Sequence, residues 1–300
     1  VTSEDGNWHK EYSVIIDTFD LPLRYDFEHY ELNETEKYQV FFEETQGTAL
    51  FKQYIWASGN SGFALTGVGR NPQEYPTVSI ENGIDGSRAI KLETKSTGQF
   101  GETVKMPIAA GNLFLGSFDV NNAVQKPLKA TRFGLPFGKK PLQLKGYYKY
   151  TPGTQPFKAK DKNGNTVTIP GQEDEGDIYA VLYEAAELDG KALDGNNVLT
   201  SKNIVALARV EVEKKDEFTA FHVDFHYGSR IPIDWPKFIQ DQRDPSDDGT
   251  DKYLPFREEK MKNYEYNLAV VFTSSKYGAY FAGSVGSTLC IDKVEIVCEK

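Results

Sequence analysis

Residues 267–300 read NLAVVFTSSKYGAYFAGSVGSTLCIDKVEIVCEK, two long strands joined by a Gly/Ser-rich loop. Residues 268–272 are apolar and β-branched, Gly278, Gly283 and Gly286 punctuate the connection, and 288–297 resume with apolar and charged residues interleaved. In that last run Leu289 and Ile291 share one parity, while Val294, Ile296 and Cys298 share the other. One buried face takes all five only if the register shifts by one, so a β-bulge is expected at Asp292-Lys293.

Outward from this pair the chain reads as short strands cut by turns. They are expected at 25–30, 38–42, 50–56, 63–67, 77–80, 87–93, 112–119, 142–150, 178–184, 204–212 and 219–227. Helix-period patterning is confined to 234–242, where Asp234 is placed to cap and Pro236 falls in the first turn. So many short strands with turn residues between them predict a mainly β fold, a jelly-roll β-sandwich of two antiparallel sheets. Residues 1–24 read as an extended arm or linker with one strand at 12–16, and 25–300 as a single domain. Asn163-Gly164 should tip a hairpin in the insertion 158–177. A second insertion, 228–263, is long and polar enough to face a ligand.

Composition sets outer limits. The chain has 300 residues, 39% hydrophobic, 26% charged and 13% aromatic, and a net charge of −10, which argues against a nucleic-acid partner. The acidity is uneven: residues 120–160 hold nine basic side chains and no acidic one. That stretch predicts either a face for an anionic glycan or a partner for the acidic opening, 26–44, and the second is favoured. No apolar run approaches the length of a membrane span. The sequence starts at Val1, and a removed leader or an upstream lipid anchor is an open expectation. Cys290 and Cys298, eight residues apart on one strand, would have Cα atoms about 26 Å apart. This is too far for a disulfide, so both are expected reduced and buried.

Several segments carry a resemblance. FTSSKYGAYFAGSVGSTLCIDKVEIV (272–297), WASGNSGFAL (56–65), AIKLETKSTG (89–98), PIAAGNLFLGSF (107–118), RFGLPFGKKPLQLKGYYKYTPG (132–153) and IYAVLYEA (178–185) resemble, in order, the "putative carbohydrate metabolism domain" family of Bacteroidetes surface and periplasmic lipoproteins. The resemblance implies a jelly roll similar to carbohydrate-binding modules and a location at the cell surface, as an outer-membrane lipoprotein, or in the periplasm. It brings no catalytic motif with it. DFE (26–28) also resembles the opening of jelly-roll sugar-binding modules, in which an early acidic residue and an Asp of the last strand share a structural calcium. That would cast Glu28 and Asp292 as metal ligands, although two carboxylates fall short of the six to eight oxygens calcium takes.

Three function classes stay open. A non-catalytic glycan-binding module would present aromatic rings and amide or guanidinium donors to an oligosaccharide or polysaccharide, and Trp56, Asn60, Arg132, Tyr148 and Trp235 are the candidates. A glycoside hydrolase needs a carboxyl pair, which a chain with 44 acidic residues can supply without any sequence signature. An assembly protein would offer strand edges. His222, Asp224 and His226 share one face of a predicted strand, but successive side chains there are about 7 Å apart, too far for neighbours to share one zinc unaided. No Gly-x-Ser-x-Gly, His-Glu-x-x-His or phosphate-loop pattern occurs. Binding without catalysis is the favoured reading at this level.

Overall fold

The computed structural model describes residues 20–45, 51–185, 188 and 192–300, and the backbone pairing of 2–3 with 8–9. The strand expected at 12–16 lies outside the described residues. Two large antiparallel sheets form an open sandwich of jelly-roll type. In the first, Lys215–Asp224, Pro141–Thr151, Thr288–Cys298, Ala89–Glu93 and Thr77–Ile80 lie in that order, and Arg24–Tyr25 pairs with the last strand beyond Ala89–Glu93. In the second the order is Thr131–Phe133, Asn112–Phe118, Tyr266–Thr273, Asp177–Glu184, Ile204–Val210 and His226–Tyr227. Leu135–Pro136 and Trp56–Ala57 add short pairings to the second sheet.

The last strand is interior to its sheet and bulged where parity demands. Lys145 pairs with Glu295 and Tyr147 with Asp292, so Gly146 alone faces two residues, and Lys293 takes a φ of 49°. The shift returns Val294 and Ile296 to the core face already occupied by Leu289 and Ile291. Asp292, buried by the same shift, accepts bonds from the backbone N–H of Ile84 at 2.6 Å and of Lys293 at 2.7 Å and from Ser87 Oγ at 2.9 Å. Burial raises its carboxyl above the usual range, against the pull of these donors.

The two sheets bury their strands differently, and this positions everything that follows. Pro141–Thr151 alternates, with Leu144, Tyr148 and Tyr150 inward and Leu142 and Tyr147 exposed, so one face of the first sheet meets solvent. All eight residues of Asp177–Glu184 are buried. Ile178, Ala180 and Leu182 enter the core between the sheets, while Tyr179, Val181 and Tyr183 join a second cluster with Phe114, Phe133, Leu193, Val198, Tyr253 and Val271. The outer face of the second sheet is therefore roofed by loops.

Several expectations need correction. Residues 63–67 do not form a strand: Asn60–Ala64 is a helix, fastened by Asn60 to Thr77. The strand read over 219–227 is two, Lys215–Asp224 in the first sheet and His226–Tyr227 in the second, with Phe225 buried at the crossing. His226 thus leaves the ladder of His222 and Asp224. The helix read over 234–242 is Lys237–Gln240, with Pro236 rather than Asp234 at its N-cap. The hairpin in 158–177 is present, Lys158–Lys160 against Thr166–Thr168, but its turn differs. Asp161 N–H donates to Asn165 O and Gly164 alone has positive φ, giving a three-residue loop rather than a two-residue one. Three residues of the basic stretch are paired, Arg132 with Asp119, Lys139 with Asp20 and Lys140 with Glu299. The acidic opening instead meets Lys52 and Lys293.

Cys290 is buried, whereas Cys298 is only half-buried, and both are free. Burial pushes both thiols up to about 11. Reaction with a thiol reagent at pH 8 should therefore label Cys298 on the order of 100-fold more slowly than an exposed cysteine, because so little thiolate is present. Cys290 should label only after unfolding, and mass spectrometry of a labelling time course checks both rates.

Candidate functional site

The loops that roof the second sheet leave a cavity of about 190 Å³ against it. Its floor is Phe114, Phe133, Tyr179 and Val271, and its walls include Phe63, Phe100, Phe118, Trp235, Tyr280 and Phe281. At one end Asp177 and Lys276 also line a second, acidic hollow of about 530 Å³. Glu173, Asp174, Glu175, Glu211 and Glu213 surround that hollow, with Arg209 and Lys214. The two hollows together are an aromatic and an acidic compartment meeting at Asp177.

Asp177 begins its strand two residues before Tyr179, which pairs with Arg209, so Asp177 and Arg209 are diagonal neighbours on one face of the antiparallel ladder. Arg209 Nε and Nη2 bond Asp177 Oδ1 and Oδ2 at 2.9 and 2.7 Å, a bidentate pair at the base of the hollow. Burial opposes the charge on Arg209, and the Asp177 carboxylate more than offsets this. Lys276 is bound by Glu175 at 2.6 Å. Asp174 is pushed up to about 6 by burial, despite bonds from Ser275 Oγ, Ser284 N–H, Ser287 Oγ and Glu175 N–H. Glu211, one residue beyond the last pair of that ladder, Ile178–Val210, lines the same hollow and is exposed.

The residues expected to bind sugar separate into two groups. Trp56 is 4% exposed, in edge contact with Tyr25 at 5.0 Å, and donates Nε1–H to Glu43 at 2.8 Å. Asn60 is fully buried between Gly59 and Thr77. Tyr148 packs on Phe221, and its OH accepts the Glu213 N–H. These three are core, held by packing and internal hydrogen bonds. Trp235 lines the aromatic compartment, with the Arg243 guanidinium 4.5 Å from its ring. Arg132 lies beside the compartment, exposed and paired to Asp119 at 2.9 Å.

Glu28 and Asp292 converge on 84–88, as Glu28 accepts the Arg88 N–H at 3.2 Å. They do not fit a calcium ion. Both oxygens of Asp292 are engaged by protein donors, and the Lys293 ammonium lies 4.0 Å from Glu28 and 3.5 Å from Asp26. Among the described residues no group of three or more His, Cys, Asp or Glu side chains is placed to hold a metal ion. No helix among them is long and apolar enough to cross a membrane.

Sequence reasoning missed Asp177, Arg209 and Glu211. The available signal was Arg209 itself, a lone charge in the run IVALARV, which a buried strand tolerates only with a partner.

The fold and its two-compartment groove are those of a β-sandwich protein with an open hollow beside one sheet. Residues 26–297 match the family described as "Putative carbohydrate metabolism domain", and the chain belongs to it. It is similar over 94% of its length to 72% of a solved chain described as a "putative glycoside hydrolase" from Bacteroides thetaiotaomicron, with 42% identity and a TM-score of 0.76. A second solved chain, described in the same words and from Bacteroides vulgatus, aligns over 93% of this chain and 99% of its own, with 35% identity and a TM-score of 0.74. No curated protein matches.

Two outcomes test the assignment of residues to core. Replacing Trp56 by Ala should cost about 3–5 kcal/mol of stability, while leaving ligand affinity of the folded fraction unchanged, as melting curves and titration would show. Glu43, beneath Trp56, is raised from 4.5 to about 7, first by burial and further by Asp26, against the Trp56 bond. A carboxyl that holds its proton more tightly folded than unfolded adds stability that is complete below pH 4.5 and lost as pH rises through about 7. The shift corresponds to about 3 kcal/mol. Glu43→Gln keeps an acceptor for the indole, so its melting temperature should gain on the parent between pH 5 and 8. Parallel curves would show the linkage to be absent.

Proposed function

We propose that the protein hydrolyses glycosidic bonds, with Asp177 and Glu211 as its carboxyl pair. The observation that carries this reading is the acidic hollow that opens beside the aromatic compartment, with Asp177 at their junction and the exposed Glu211 lining the hollow; retention would require the two carboxyl groups to lie about 5–5.5 Å apart. Asp177, fixed by Arg209, would attack the anomeric carbon, and Glu211 would protonate the departing oxygen. Water, deprotonated by Glu211, would then release the sugar with its configuration retained. The solved relatives described as glycoside hydrolases support this class of activity. The family's carbohydrate association supports a sugar as the partner, and work at the cell surface or in the periplasm accords with such a substrate.

One observation favours a second reading, glycan capture without cleavage. Arg209 engages both oxygens of Asp177, and four donors hold Asp174, so neither buried carboxyl of the groove offers an unengaged oxygen. Incubation with linear oligosaccharides and 4-nitrophenyl glycosides separates the two. Hydrolysis should release reducing ends in the retained anomeric form, and Glu211→Gln should slow it by at least about 100-fold with the melting temperature unchanged. Saturable binding with no new reducing ends would establish capture, and an inverted product would remove Asp177 from the pair.

A further inference from the structure

Tyr179 follows Asp177 by two residues, so both side chains stand on the same face of the strand, and both line the aromatic compartment. Tyr179 is 6% exposed, yet its hydroxyl has no hydrogen-bond partner among the described residues. Unlike Thr131 Oγ1, which is unpaired and sealed, the Tyr179 oxygen keeps accessible surface, and the cavity is the space that Tyr179 lines. A hydroxyl so placed is free to pair with whatever fills that space. The indole Nε1–H of Trp235, half-buried on the same lining, also has no partner among the described residues.

A mostly aromatic lining with a few polar groups is the usual make-up of a small-ligand site: ring faces cover apolar surface and the polar groups fix orientation. A pyranose offers both kinds of surface, C–H faces and hydroxyl edges. The cavity of about 190 Å³ is somewhat larger than the roughly 150 Å³ that takes up benzene, so one six-membered ring fits and a second does not. A longer glycan must continue elsewhere. The acidic hollow adjoins at Asp177 and Lys276, and there the exposed carboxylates of Glu173 and Glu211 can accept from sugar hydroxyls.

We infer that the aromatic compartment is a subsite for a single terminal sugar residue, seated among the aromatic walls and hydrogen-bonded by Tyr179 Oη, with the rest of the glycan in the acidic hollow. The site of cleavage rests on the hydrolysis proposed above. Asp177 lines both compartments and Glu211 only the hollow, so the attacked sugar lies on the aromatic side and the departing chain on the acidic side. Each turnover then releases one monosaccharide, the hydroxyl of water ending on its anomeric carbon and the proton on the shortened chain. The subsite itself does not depend on cleavage.

Titration with methyl glycosides of glucose, galactose, mannose and xylose, in both anomeric forms, tests the subsite, with toluene as an apolar control. At least one glycoside should bind at millimolar concentration. Tyr179→Phe should weaken it about fivefold, the effect of one ordinary hydrogen bond, without lowering the melting temperature, because that hydroxyl has no protein partner to lose. Ala123→Leu, which fills the cavity from its lining, should weaken the same glycoside at least about tenfold. Failure of every glycoside to bind, with or without binding of toluene, would overturn the inference, as would an affinity that either substitution leaves unchanged. Linear oligosaccharides supply the second readout, and a monosaccharide should be their first product. Early products of intermediate length would refute the one-residue assignment and leave the hydrolase reading intact. Glycoside binding that depends on Tyr179, with no product from any oligosaccharide, would retain the subsite and refute the hydrolase reading.

Discussion

The carboxylate of Asp174 holds one end of the sandwich together. Its Oδ2 accepts Ser275 Oγ at 2.6 Å, Ser287 Oγ at 2.7 Å and the Ser284 N–H at 2.8 Å, and its Oδ1 accepts the Glu175 N–H at 3.0 Å. Ser275 follows the strand Tyr266–Thr273 of the second sheet, and Ser287 precedes Thr288–Cys298 of the first. One buried charge therefore fastens the crossing between sheets. Thr94 extends the knot: its Oγ1 meets Ser274 and Ser275, its N–H donates to Ser287 O, and its carbonyl accepts the Gly286 N–H. A charge this buried is tolerated because its donors replace most of what water would supply.

The same constraint explains the glycines of that loop and the position of the groove. A Cβ on Gly283 would lie 2.5 Å from Ser275 Oγ and 2.9 Å from Asp174 Oδ2, so any larger residue would break the knot. Gly286 takes a φ of 95°, which favours glycine. With Asp174 fixed, Glu175 and Asp177 follow within three residues and are delivered to the hollow with Lys276, the residue after Ser275. The chain segments that close the sandwich are thus the ones that line the acidic compartment.

Much of the frame was legible because it rests on parity. The conflict between Leu289 and Val294 could be resolved only by a bulge, and strands such as 77–80 and 142–150 lie close to where alternation places them. The groove was hard to read for the opposite reason. Asp177–Glu184 is buried on both faces, so its sequence is a near-continuous apolar run carrying no mark of which residues face a cavity. Trp56 and Tyr148 looked like ligand platforms because a large aromatic is equally suited to core and to contact. What decides is a distant partner, Glu43 for the one and the Glu213 N–H for the other.

Charge placement narrows what the groove tolerates. Of the basic stretch 120–160, Arg132, Lys139 and Lys140 are matched by carboxylates on separate elements rather than by the acidic opening that the sequence favoured as their partner. In the acidic hollow, Arg209 and Lys276 are bound to Asp177 and Glu175, and these pairs cancel locally. Glu213 is likewise paired with Lys215, and Glu173, Asp174 and Glu211 then outweigh Lys214 among the remaining lining groups. A polyanionic chain entering there would meet carboxylates at short range, in a partly enclosed space where salt screens poorly. A neutral sugar meets no such barrier, and its hydroxyls can donate to the exposed carboxylates of Glu173 and Glu211.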